Sequence, residues 1–83
     1  MSNRIKCNSV SYRTGYVEIT AGIHDDCVNL ETWNIHPEID LATRDLHDAD
    51  FPADGVIGNT EIELSANDAR RLIRLLEVAL EKL

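Results

Sequence analysis

Apolar and polar residues alternate with period two over three stretches in the first part of the chain. From Arg4 to Tyr12 the alternation sets Ile5 and Cys7 on one side and Arg4, Lys6 and Asn8 on the other. Tyr16 to Ala21 alternates cleanly and is rich in strand formers. Cys27 to Ile35 alternates again, with Val28, Leu30 and Thr32 opposing Asn29, Glu31 and Trp33. A period of two places successive side chains on opposite faces of a sheet, so each stretch predicts a strand. Arg13-Thr14-Gly15 separates the first two strands, and Gly22 with His24-Asp25-Asp26 separates the next two, both with turn chemistry. The pattern predicts an antiparallel β-meander over residues 4–35, with Tyr12, Tyr16 and Trp33 on the face away from any covering helix.

The period is lost after His36-Pro37, where proline ends the third strand. Residues 37–58 show no regular pattern, only the apolar anchors Ile39, Leu41, Leu46 and Phe51 spaced among acids. Those anchors and the Pro52 and Gly55 turn chemistry predict an ordered loop open to partners, with a helical turn near residues 39–45. Residues 60–64 alternate once more, Ile62 and Leu64 against Glu61 and Glu63, and predict a fourth strand. Ser65 then stands as an N-cap before Ala69, Leu72, Ile73, Leu76, Ala79, Leu80 and Leu83. These recur at three and four, which predicts an amphipathic helix over residues 65–83. Because a small meander cannot cover its own apolar face, the helix is expected to lie across it. The fold class is α+β: an antiparallel sheet of three to four strands packed against one long C-terminal α-helix, in a single domain over residues 1–83.

Charge changes this picture most in the middle of the chain. Between His24 and Glu63 there are eleven acidic residues and one base, Arg44, a net −10. The segment before it carries +2 and the segment after it +1, which together give the chain's −7. Such a balance argues against direct nucleic-acid binding, since each phosphate contact needs a Lys or Arg. It favours a basic protein as partner. No apolar run approaches the length of a membrane span, and the N-terminus lacks the order of a signal peptide, so a cytoplasmic location is expected. Cys7 and Cys27 are too few for a disulfide framework or a metal knuckle and are expected to stay reduced.

Candidate chemistry is sparse. Residues 50–61 are similar to the calcium loop of an EF-hand, with Asp50, Asp54, Gly55 and Glu61 at ligand or turn positions. Pro52 occupies a ligand position, however, and the exit reads as a strand. His24, His36 and His47 all lie among carboxylates without a zinc-binding spacing. No serine or cysteine sits in a nucleophile elbow, and no glycine loop suits a phosphate. The chain therefore reads as a non-enzyme with no cofactor and no metal.

A short acidic chain without catalytic residues is most economically a binding protein. Glu38, Asp40, Asp45, Asp48, Asp50 and Asp54 in the loop, with Glu31, Trp33, Glu61 and Glu63 on the sheet, are the expected partner-binding residues. Their carboxylates can imitate nucleic-acid phosphates and occupy a basic groove, so an inhibitor acting as a nucleic-acid mimic is the leading expectation. In size, acidity and lack of motif the whole chain resembles small phage and mobile-element proteins of the anti-CRISPR kind. That resemblance implies an anti-defence role against a nucleic-acid-binding effector complex in a bacterial cytoplasm, and it carries over no site residue. Two alternatives come from other features. Leu75 and Val78 widen the apolar stripe of the helix enough to dock a second copy, giving a homodimeric structural or regulatory module. Asp50, Asp54 and Glu61 give the calcium-binding module.

Overall fold

The computed structural model describes residues 3–83. Four strands, β1 (Arg4–Cys7), β2 (Thr14–Ala21), β3 (Cys27–Ile35) and β4 (Val56–Ser65), precede one helix, α1 (Ala66–Leu80). The strands pair antiparallel in the order β1-β2-β3-β4 and form one open sheet, so the fold is α+β as the pattern predicts. β1 stops at Cys7 instead of running to Tyr12, because the amide of Arg13 bonds the Val10 carbonyl and residues 8–13 form the turn. Gly15 is required where β2 passes β3, since a Cβ there would collide with the carbonyl oxygen of Trp33. β4 begins at Val56, four residues before the predicted start, because the Gly55 carbonyl accepts from the His36 amide and closes the loop early. A register shift beside Ile35 then leaves Ile57 as an extra residue in the ladder.

The register sorts the side chains into two unlike faces. On one face Ile5 and Val17 pair, Ile19, Leu30 and Ile62 form a continuous row, and Val28 stands beside Leu64. On the other face Lys6, Tyr16, Trp33 and Asn59 make one row and Arg4, Glu18, Glu31 and Glu61 the next. Alternation alone would bury the first face. Instead the second face carries the buried core.

Residues 36–55 fold over the aromatic row. Tyr16, Ile35 and Leu41 are the buried apolar residues, at 2%, 2% and 1% exposure, with Trp33, Ile39, Leu46, Phe51 and Val56 packed around them. The loop's four apolar anchors are therefore all in the core, and Tyr16, expected on the face away from the helix, is its centre. Tight turns hold the loop: Arg44 to Asp40 is the expected helical turn, followed by Asp48 to Asp45, Phe51 to Asp48 and Gly55 to Pro52. Gly55 is buried against Ile39 and Phe51, leaving no room for a side chain.

The helix begins as predicted, with the Ser65 hydroxyl accepting from the Asp68 amide at 3.1 Å. It meets β4 and β3 but has no buried residue. The expectation that it covers the sheet meets a physical obstacle. Ser65 is both the last residue of β4 and the N-cap of α1, so no connecting residues turn the helix back. Ile73, Leu75, Leu76 and Leu80 are each more than half exposed.

Candidate functional site

The loop is fastened to the sheet by the two cations of β1. Alternation puts Arg4 and Lys6 on the aromatic face, where the acidic loop arrives. Lys6 Nζ donates to the Leu41 carbonyl at 2.7 Å. Arg4 donates through Nε and Nη2 to Glu18 Oε2, at 3.2 and 3.1 Å, and its Nη1 lies 3.7 Å from Asp45 Oδ1. The same guanidinium stands over the rings of Tyr16 and Trp33, 5.6 and 5.8 Å from their centroids, and touches His47. One half-buried arginine thus joins β1, β2, β3 and the loop, using the planar fork and stacking ability that lysine lacks. Charge and pairing together point to Arg4, but its role depends on the sheet register and was missed in the sequence.

Tyr16 completes the attachment, its hydroxyl accepting from the Leu46 amide at 3.3 Å. Burial raises its pKa above the ordinary value of 10.0, outweighing the opposing effect of that hydrogen bond.

The acidic residues fall into three groups with different duties. Asp40, Asp45 and Asp48 shape the loop: their carboxylates accept from the amides of Ala42 (2.9 Å), His47 (3.1 Å) and Asp45 (2.9 Å) respectively. These short side chains cap their own turns. Glu38, Asp40 and Asp54 line a cleft of about 420 Å³ with His36 and Arg44. Glu38, Asp50 and Asp54 are exposed, and their carboxylates make no hydrogen bond or ion pair among the described residues.

The third group is on the sheet. Glu18, Glu31 and Glu61 sit side by side across β2, β3 and β4, and Glu63 pairs with Asn29 in the next row but one. Like charges at directly opposed positions cost stability. Arg4 compensates Glu18, while Glu31 receives a single neutral donor, Asn59 Nδ2 at 3.1 Å. His24 Nδ1 lies 2.8 Å from Glu63, and Glu61 has no partner among the described residues. Beside them the Oδ1 of Asn29, a residue only 4% exposed, has no donor among the described residues. This end of the face is a set of acceptors short of donors.

Trp33 is half-buried against the core beneath Arg4, and among the three aromatics Tyr12 is the exposed one, stacked by Arg13 at 5.6 Å. Asp50 and Asp54 belong to the loop whereas Glu61 lies well inside β4, so the twelve-residue calcium pattern is divided between two elements. Among the described residues no group of three or more His, Cys, Asp or Glu side chains is placed to hold a metal ion. Cys7 and Cys27 are free thiols, the first exposed and the second half-buried. Among the described residues no helix is long and apolar enough to cross a membrane. No protein-family model, curated protein or solved structure matches the chain.

Proposed function

We propose that the chain is a non-enzymatic binding protein whose carboxylate face occupies the basic, nucleic-acid-binding groove of a partner protein. The observation that carries this reading is the acceptor-rich end of the sheet. Among the described residues Glu31 and Glu61 oppose each other without a cation, and the buried Asn29 Oδ1 beside them lacks a donor. A lysine- or arginine-lined groove supplies both charge and donors, converting a local cost into binding energy. The loop adds Glu38, Asp50 and Asp54, whose carboxylates carry no internal duty, at the rim. An inhibitor of this design needs no catalytic group, since excluding the nucleic acid suffices. Its general likeness to anti-CRISPR proteins makes a bacterial effector complex in the cytoplasm the first partner class to test.

The duties of the acids decide how to test it. Reversing Asp45 or Asp48 would disrupt the loop's own turns, so the informative variant is Glu38→Lys/Asp50→Lys/Asp54→Lys/Glu61→Lys. The immobilised chain should capture basic proteins from a bacterial lysate at low salt. Duplex DNA should release them by competing for the same groove, and capture should fall steeply between about 50 and 200 mM salt. The fourfold variant, folded by circular dichroism, should capture none. Capture that ignores DNA, or survives the four reversals, would overturn the reading.

A further inference from the structure

The chain exposes much more surface than its mass requires. Its accessible area is 6372 Å², whereas a compact monomer of 9.3 kDa exposes about 5,000 Å². Its Cα radius of gyration is 14.4 Å, against about 12 Å for a compact chain of this length. The excess of about 1,400 Å² exceeds the roughly 800 Å² that each partner buries in a stable interface of standard size.

This excess has an apolar character in two places. The sheet face opposite the loop presents the row Ile19–Leu30–Ile62, flanked by Val17, Val28 and Leu64, none of them buried and none in the core cluster. Ile19 is 37% and Ile62 52% exposed. The helix presents Ile73, Leu76 and Leu80, at 57%, 56% and 65% exposure, one turn apart along a single stripe. The helix meets β3 and β4 of its own chain, but the direct passage from β4 into α1 at Ser65 leaves Ile73, Leu76 and Leu80 exposed.

We infer that a second copy of the chain closes both surfaces: each protomer's α1 lies across the apolar sheet face of the other, in an isologous homodimer. Two-fold symmetry suits the requirement, because each copy donates what it lacks a place for and receives what it lacks. The interface is apolar and larger than a transient contact, as obligate dimers are. It uses the face opposite the loop and leaves both carboxylate faces outward, so the dimer displays two of them.

Sedimentation equilibrium on the full chain tests the assembly. A mass near twice that of one chain is expected at about 10 µM, and the mass should not change at about 1 M salt because the contact is apolar. Leu76→Lys on the helix and, separately, Ile62→Lys on the sheet should each raise the dimer dissociation constant at least about 100-fold. If either variant fails to fold, the wild type decides the matter through isotope-filtered NMR on mixed labelled and unlabelled chains. Contacts between copies, from Leu76 and Leu80 methyls to Ile19, Leu30 and Ile62, are expected. A wild-type monomer at about 100 µM, a dimer that survives Leu76→Lys, or contacts from Leu76 and Leu80 with their own sheet or only with the other helix would overturn the inference.

Discussion

The two faces of the sheet differ in a way that reverses the usual relation between polarity and burial. The face built from Arg4, Lys6, Tyr16, Glu18 and Glu31 is the more polar, yet it carries the buried core. The face built from Val17, Ile19, Val28, Leu30 and Ile62 is the more apolar, yet none of these side chains is buried. The difference lies in what each face is offered. The loop brings Leu41 to the aromatic row and is held there by two cations, whereas the helix leaves the sheet where it begins. An apolar face without cover within its chain is a request for a partner. A polar face can instead be closed by charge, provided an arginine and a lysine are placed to receive the acids.

Substitutions at the two faces should separate them, beginning with the largest effect. Leu41→Ala removes a side chain 1% exposed from the closed core and should cost about 2–5 kcal/mol in urea unfolding, at any protein concentration. Leu76→Ala, on the open helix stripe, should cost little in dilute solution and progressively more as concentration rises, because only the dimer buries that residue. Equal costs at all concentrations would abolish the distinction between the faces.

Arg4→Ala should follow, at about 1–3 kcal/mol, since it removes the partner of Glu18 and Asp45 and leaves Glu18 beside Glu31 uncompensated. Arg4→Lys should recover only part of this, because lysine cannot stack on Tyr16 and Trp33 while forking to Glu18. Thermal unfolding of both variants provides the check. A fully restored melting temperature in the lysine variant would reduce Arg4 to a point charge.

Tyr16→Phe should have the smallest effect near neutrality, about 0.5–1.5 kcal/mol for the lost Leu46 hydrogen bond. Its signature is the pH dependence. Burial raises the folded pKa of Tyr16, so the folded and unfolded states bind this proton equally below the unfolded value near 10.0. Above it the unfolded chain ionises first and native stability falls. The phenylalanine variant lacks that term, so its stability should decline less between about pH 9.5 and 11. Parallel curves for the two proteins would place the hydroxyl in solvent.

Local structure was largely legible from the residues. Alternation located β2 and β3, the Ser65 cap and three-to-four spacing located the helix, and Ile39, Leu41, Leu46 and Phe51 announced an ordered loop. Which element covers which face was not legible. Amphipathic spacing says that the α1 stripe needs burial, but says nothing of where the chain goes at Ser65, where strand passes straight into helix. Tyr16 shares its face with Arg4 and Lys6, and that the loop closes over this face was not legible for the same reason. The carboxylate series was visible as composition. Its division into turn-forming acids (Asp40, Asp45, Asp48) and acids free of internal duty (Glu38, Asp50, Asp54) required the hydrogen bonds.

The central contrast is most directly read at the ring of Tyr16, in a nuclear Overhauser spectrum of the methyl-labelled chain. Contacts from that ring to the methyls of Leu41, Ile35 and Leu46, with none to Leu72, Leu76 or Leu80, are the expected result. Contacts from the helix leucines to Tyr16 would put the helix on the aromatic face, displace the loop from the core, and contradict the assignment of the two faces.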